Sequence, residues 1–160
     1  MSKALGDWRA PNGWYQRAIE EKIKWEEYVA KESGPTNQEL PSYAHAVGAV
    51  YRNSDPSDIV VTAAGGLVGE VVQIWKPKEI NTFETEWGFS CMGYEISGAL
   101  GIKMAKPDQD VVVFVGDGSY LLQNSDIYSS VLYDKKLIIV VCDNGGHMVI
   151  NRLQLAKGGK

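Results

Sequence analysis

Apolar positions along this chain fall into two kinds of segment. Ile59-Val60-Val61-Thr62-Ala63, Val111 to Val115 and Leu137 to Cys142 are short, β-branched and unbroken. They lack the alternation of a strand with one wet face, so they predict strands buried on both faces, as in a parallel sheet covered by helices. Asn81 to Thr85 predicts a weaker strand. The intervening segments carry helical spacing: Gly65-Gly66 through Trp75, Gly93 through Ala105 and Asn124 through Tyr133. Pro107-Asp108 and Asp134-Lys135-Lys136 mark exits. Upstream, Ser42 predicts the cap of a helix through Tyr43, Ala46, Val47 and Val50 to about Arg52. Asp55-Pro56-Ser57-Asp58 is a turn. From Trp14 to about Lys31 the chain is charged and aromatic, with Trp14, Ala18, Trp25 and Val29 on one stripe of an amphipathic helix. Ser33-Gly34-Pro35 stops it.

The alternation of strand and helix predicts an α/β fold with three layers, α/β/α, around a parallel sheet joined by right-handed crossovers. Residues 1–40 read as a linker and amphipathic helix, and residues 41–160 as the α/β unit. Four strands are few for such a sheet, which reads as a truncated one.

Composition narrows the classes. A chain of 160 residues supports one core. With 44% hydrophobic and 22% charged residues it is not a disordered chain. A net charge of −4 argues against a nucleic-acid partner, which needs a basic face. Cys91 and Cys142, far apart, cannot frame a disulfide scaffold, and they point to a reducing cytoplasm. No apolar run approaches the ~20 residues of a membrane span. The first residues hold no apolar signal core, so the expectation is a cytoplasmic protein with no membrane partner.

The glycines carry the chemistry. Ala64-Gly65-Gly66, Gly116-Asp117-Gly118-Ser119 and Asp143-Asn144-Gly145-Gly146 leave the carboxyl ends of strands, the edge where open parallel sheets bind ligands. Bare backbone N–H groups and helix N-termini there suit a phosphate. Asp117 and Asn144 add hard oxygen donors suited to magnesium. A P-loop is excluded, because no G-x-x-x-x-G-K-[ST] occurs. A dinucleotide fingerprint from Gly116 fails at Leu121.

Gly116-Asp117-Gly118-Ser119 after a Val-rich strand, with Asp143-Asn144 ending the next, resembles the signature of thiamine-diphosphate enzymes. The interval from Asp117 to Asn144 fits that family's spacing. Asp143 stands where the family has a first Asn, and Asn144 at its metal-ligand position. Ser90-Cys91-Met92-Gly93 resembles the stretch that places a bulky apolar residue under the cofactor. Longer strings, Thr62 to Leu67, Cys91 to Ile96 and Gly116 to Leu121, resemble trihydroxycyclohexanedione hydrolases of myo-inositol breakdown. Ile150-Asn151-Arg152-Leu153-Gln154 is similar to their I-N-N-L-Q, with Arg152 replacing Asn. The resemblance covers about residues 40–155.

That resemblance implies that residues 41–160 are a partial pyrophosphate-binding domain. Its sheet would run second, first, third, fourth strand, with two further strands in the family. It implies thiamine diphosphate and Mg2+ as cofactors. Asp117, Asn144 and the Gly146 carbonyl would hold the metal. Gly65, Gly66, Gly116, Gly118 and Ser119 would cradle the diphosphate. Met92 would bend the cofactor, and the Ser90 carbonyl would accept from its aminopyrimidine. The substrate would be a small-molecule cyclic diketone whose ring C–C bond is hydrolysed, with the cofactor as electron sink. The main catalytic glutamate would come from a pyrimidine-binding domain of the same or another chain. No catalytic residue is therefore assigned, the isolated chain is expected to be inactive, and the complete enzyme is expected to be a homo-oligomer. Two alternatives stay open. One is another thiamine-diphosphate enzyme, an acetolactate-synthase-like carboligase or a 2-oxoacid decarboxylase. The other is a non-catalytic split subunit.

Each residue also has a plain structural reading. Asp117 is then a turn aspartate, Asn144 a left-handed turn residue, Ser119 a helix cap and Met92 core filler. Gly65 and Gly66 serve backbone geometry. His147 and His45 are structural, Glu86 and Glu95 hold loops or helices, and Cys91 and Cys142 are small buried apolar groups.

Overall fold

The computed structural model describes residues 4 and 6–159. The elements are α1 (Trp14–Glu32), α2 (Tyr43–Arg52), β1 (Ile59–Thr62), α3 (Gly65–Ile74), β2 (Phe83–Thr85), α4 (Tyr94–Ala105), β3 (Val111–Gly116), α5 (Asp117–Gln123), α6 (Ser125–Leu132), β4 (Ile138–Cys142) and α7 (Met148–Ala156). All strands pair in parallel, in the order β2-β1-β3-β4. The α/β architecture and this order match the expectation from the sequence.

The unbroken apolar runs are explained by two cores. Successive strand residues face opposite sides. Val60, Val112 and Phe114 pack with Val47, Leu67 and Val71 of α2 and α3. Ile59, Val61, Val111, Val113 and Val115 pack with Ile96 and Ala99 of α4. Val60, Val61, Val111, Val113, Phe114 and Val115 are all fully buried, each side chain contributing about 1.5–3 kcal/mol of hydrophobic stabilisation. An edge-to-face aromatic chain, Tyr51 to Trp75 to Phe114, ties α2 and the end of α3 to the sheet.

Ser42 caps α2 as the sequence predicts. Its Oγ accepts from the His45 N–H, and His45 Nδ1 accepts from the Ser42 N–H at 3.2 Å, a reciprocal capping box. His45 thus has a structural role.

Three expectations are corrected, and one element is added. β4 is not buried on both faces: Ile138 to Val141 are partly exposed, Val141 by 42%, because it is an edge strand, and only Cys142 is buried. The segment after β3 is already helical from Asp117, whereas the sequence placed a helix only from Asn124. Residues after the last turn form α7, whose pattern gave no signal because none of its residues is buried. Cys91 is exposed, since it sits on the turn before α4, while Cys142 is buried.

Of the α1 stripe only Val29 is buried; Trp14 and Trp25 are 59% and 46% exposed. The helix docks by its C-terminal end. Arg52 donates to the Ser33 carbonyl at 2.6 Å. Ser33 crosses α2 so closely that a Cβ on Gly48 would lie 2.1 Å from the Ser33 carbonyl oxygen. Lys76 adds an ion pair to Glu26 at 3.4 Å.

Gly48→Ala should therefore destabilise the chain by about 1–3 kcal/mol through overpacking at this crossing. Gly101→Ala in α4, where a Cβ meets nothing within 4 Å, should be neutral or stabilise by up to about 1 kcal/mol. Urea unfolding of the two variants measures the contrast. Equal stabilities would reject the tight crossing.

Candidate functional site

The sheet order reverses between β1 and β3. From β1 the chain steps outward to β2 through α3, then returns across β1 to β3 through α4. The turns after β1 and β3 consequently diverge, and a crevice opens above their carboxyl ends. It holds a cavity of about 190 Å³. Every residue that the resemblance assigned to cofactor or metal lines it: Gly65, Gly66, Ser90, Met92, Gly116, Asp117, Gly118, Ser119, Asn144 and Gly146.

Each turn has a local cause. Gly65 opens α3 at φ +78°, and Gly66 presents bare backbone, with nothing within 4 Å of a Cβ at either. Asp117 and Gly118 form the first turn of α5, whose N-cap is Gly116. Asp117 is thus not a turn aspartate, and Ser119, buried inside that helix, is not its cap. A Cβ on Gly118 would lie 2.8 Å from the His147 ring and 3.2 Å from the Met92 methyl. This close approach brings α5, the turn before α4 and the turn before α7 together.

The turn after β4 takes its left-handed conformations at Gly145 (φ +78°) and Gly146 (φ +131°), not at Asn144. The left-handed reading of Asn144 therefore fails. Asp143 Oδ1 accepts from the Gly145 N–H at 2.8 Å and holds the turn. The Asn144 amide nitrogen donates to the Tyr43 hydroxyl, which leaves the amide oxygen as the end available to a cation. The Gly146 carbonyl accepts from Met148 N–H at 3.0 Å and retains a second lone pair. Tyr43 was missed from the sequence, because nothing in a helix-opening tyrosine signals a partner 101 positions away. A larger cleft of about 500 Å³ between α1, α2, α3 and α7 shares Tyr43, Gly66 and Asn144 with this cavity.

Residues 63–160 match the family model described as thiamine pyrophosphate enzyme, C-terminal TPP binding domain. The chain belongs to this family. Among its curated relatives, a 3D-(3,5/4)-trihydroxycyclohexane-1,2-dione hydrolase of Lacticaseibacillus casei is 49% identical over 71% of this chain and 18% of its own length. The enzyme of the same name from Shouchella clausii is 39% identical over 78% of the chain and 21% of its own length. That from Geobacillus thermodenitrificans is 34% identical over 99% of the chain and 28% of its own length. The chain thus spans between 18% and 28% of the length of these relatives.

The donors that line the cavity suit a magnesium-bound diphosphate. Among the described residues no cluster of three His, Cys, Asp or Glu occurs. A metal here would take one carboxylate, one amide oxygen and one backbone carbonyl, leaving positions for phosphate oxygens, as magnesium prefers. Among the described residues no helix is long and apolar enough to cross a membrane.

The turn from Glu86 to Cys91 is held by one carboxylate. Glu86 accepts from the Phe89 N–H at 2.8 Å and the Cys91 N–H at 2.7 Å. The bond from Cys91, then that from Phe89, hold the Glu86 carboxyl below the usual range. Its ordering effect is present above the ordinary glutamate pKa and is lost as pH falls through the lowered one. Partial desolvation, then the Glu86 charge, push the Cys91 thiol up. Burial pushes Cys142 to about 11.

An alkylating agent at neutral pH should therefore label Cys91 before Cys142, and Glu86→Gln should accelerate Cys91 labelling by lowering its thiol pKa and loosening the turn. Mass spectrometry of timed samples reads both rates. A slower Cys91 in the variant would contradict the arrangement.

Proposed function

We propose that this chain is the thiamine-diphosphate- and magnesium-binding part of a hydrolase that cleaves a ring C–C bond in trihydroxycyclohexane-1,2-dione. The observation that carries the reading is the convergence of Asp117, Asn144 and Gly146 with the Gly65–Gly66 and Gly116–Ser119 segments on one cavity. The names of the matched relatives supply the substrate.

The roles follow from the chemistry of each group. Asp117 supplies the charge that binds magnesium, and the Asn144 and Gly146 oxygens complete the protein's share of the shell. The backbone amides opening α3 and α5 offer donors and helix dipoles to a diphosphate. Met92, 40% exposed and beside Gly118 and His147, presents its thioether to the cavity and shapes the bound conformation. When bound, thiamine diphosphate supplies an electron sink for C–C cleavage. A pyrimidine-binding domain, on the same polypeptide or another, supplies the remaining wall and the glutamate, and the complete enzyme is a homo-oligomer. Residues 41–160 form the pyrophosphate-binding unit.

Two measurements test the reading. Asp117→Ala should abolish magnesium-dependent thiamine-diphosphate binding in calorimetry; unchanged affinity rejects the metal site. In the complete enzyme, Met92→Ala should keep cofactor affinity while kcat for loss of the dione falls about a hundredfold, since only reactive geometry is disturbed. A folded variant that loses binding outright would assign Met92 to anchoring instead.

A further inference from the structure

Glu95 is fully buried, at 0% exposure, in the first turn of α4. A carboxylate taken from water is costly unless its oxygens are hydrogen-bonded. Both of them are. Oε1 accepts from the Ala64 N–H at 3.2 Å, and Oε2 accepts from the Gly93 N–H at 2.9 Å. Ala64 and Gly93 are the N-cap residues of α3 and α4. One side chain thus joins the openings of two helices, and its bond to Ala64 spans 31 positions of sequence.

We propose that Glu95 is a positioning residue that clamps the turn after β1 to the turn before α4, and so fixes Gly65 and Gly66 relative to Met92. The clamp itself stands on the two hydrogen bonds; its consequence for thiamine diphosphate rests on the function proposed above. Three features make the linkage stiff. Gly93 is left-handed at φ +94°, and a Cβ there would lie 2.7 Å from Gln123 Cβ, so the turn is wedged against α5. The Ser90 hydroxyl donates to the Ala63 carbonyl at 3.4 Å, a second tie between the same two segments. Ala64 is itself 6% exposed, so water does not replace the bond readily. The carboxylate is needed rather than its shape. A glutamine accepts through one oxygen only, and its NH2 would oppose the second N–H as donor against donor.

The test uses the whole chain and Glu95→Gln. Amide hydrogen exchange by NMR should find Ala64 and Gly93 protected more than tenfold in the unaltered chain. In the variant both should exchange about tenfold faster while Val112 and Val113 are unchanged, the effect of losing a charge-assisted bond. The Met92 methyl resonance should shift. Affinity for thiamine diphosphate with Mg2+, by calorimetry, should weaken about tenfold. A folded variant with either amide still protected, or with unchanged affinity, overturns the proposal. If the variant does not fold, rapid exchange of either amide in the unaltered chain overturns it and joint protection supports it. If the unaltered chain binds no thiamine diphosphate, the functional reading fails, and exchange alone decides the clamp.

Discussion

The parallel pairing of β1 with β3, Val60 opposite Val112, is the constraint on which the site depends. The two strands are neighbours in space but not in sequence, because β2 lies on the far side of β1. A connection that keeps one hand must then place its helix on opposite faces for the outward and the return crossing. That is the observed arrangement, with α3 over one core and α4 over the other. The turns leaving β1 and β3 have no option but to part, and concavity at the sheet edge follows from topology. The burial that holds these two strands in register therefore also holds the crevice open.

What fills the rim of that crevice is backbone more than side chain. Glycines at positions 65, 66 and 116 leave open space where a Cβ would stand, and at Gly118 a Cβ would collide with His147. The charge placed there is the Asp117 carboxylate, on a chain whose net charge is already −4. A diphosphate brought to this rim meets a like charge. In the function proposed above, a divalent cation held by Asp117, Asn144 and Gly146 would reverse the sign of that encounter. The metal and the anion are on this view a coupled pair of ligands, each favouring the other.

The sheet was legible because β1 and β3 are apolar on both faces, a pattern few other folds require. The turns were legible because glycine and aspartate at strand ends have few plain uses. The edge strand misled, since Leu137 to Cys142 carries the same unbroken pattern although one side of β4 has no neighbouring strand. The opening of α5 at Asp117 was masked by the glycines around it, which read as loop. Tyr43 and the carboxylate of Glu95 were beyond reach for one reason: their roles are contacts made across the fold, and neither residue type nor local spacing encodes a distant partner. Asn144 shows the converse. Its sequence context allowed a turn role that Gly145 and Gly146 in fact perform.

The attachment of α1 has a mechanical consequence. The helix is fixed between Glu26 and Ser33, by an ion pair, a carbonyl accepting from Arg52 and the notch at Gly48. From Glu26 back to Trp14 it runs about 18 Å at 1.5 Å per residue, with exposed aromatic rings along the way. It behaves as a cantilever. A tilt of about 10° at the clamp carries Trp14 through roughly 3 Å. A displacement at the Gly48 notch would therefore be magnified at the start of α1, where Trp14 and Tyr15 sit. Tyr28, Val29 and Glu32 of the same helix line the cleft that meets the candidate site at Tyr43, so a shift of α1 has a short path to Asn144.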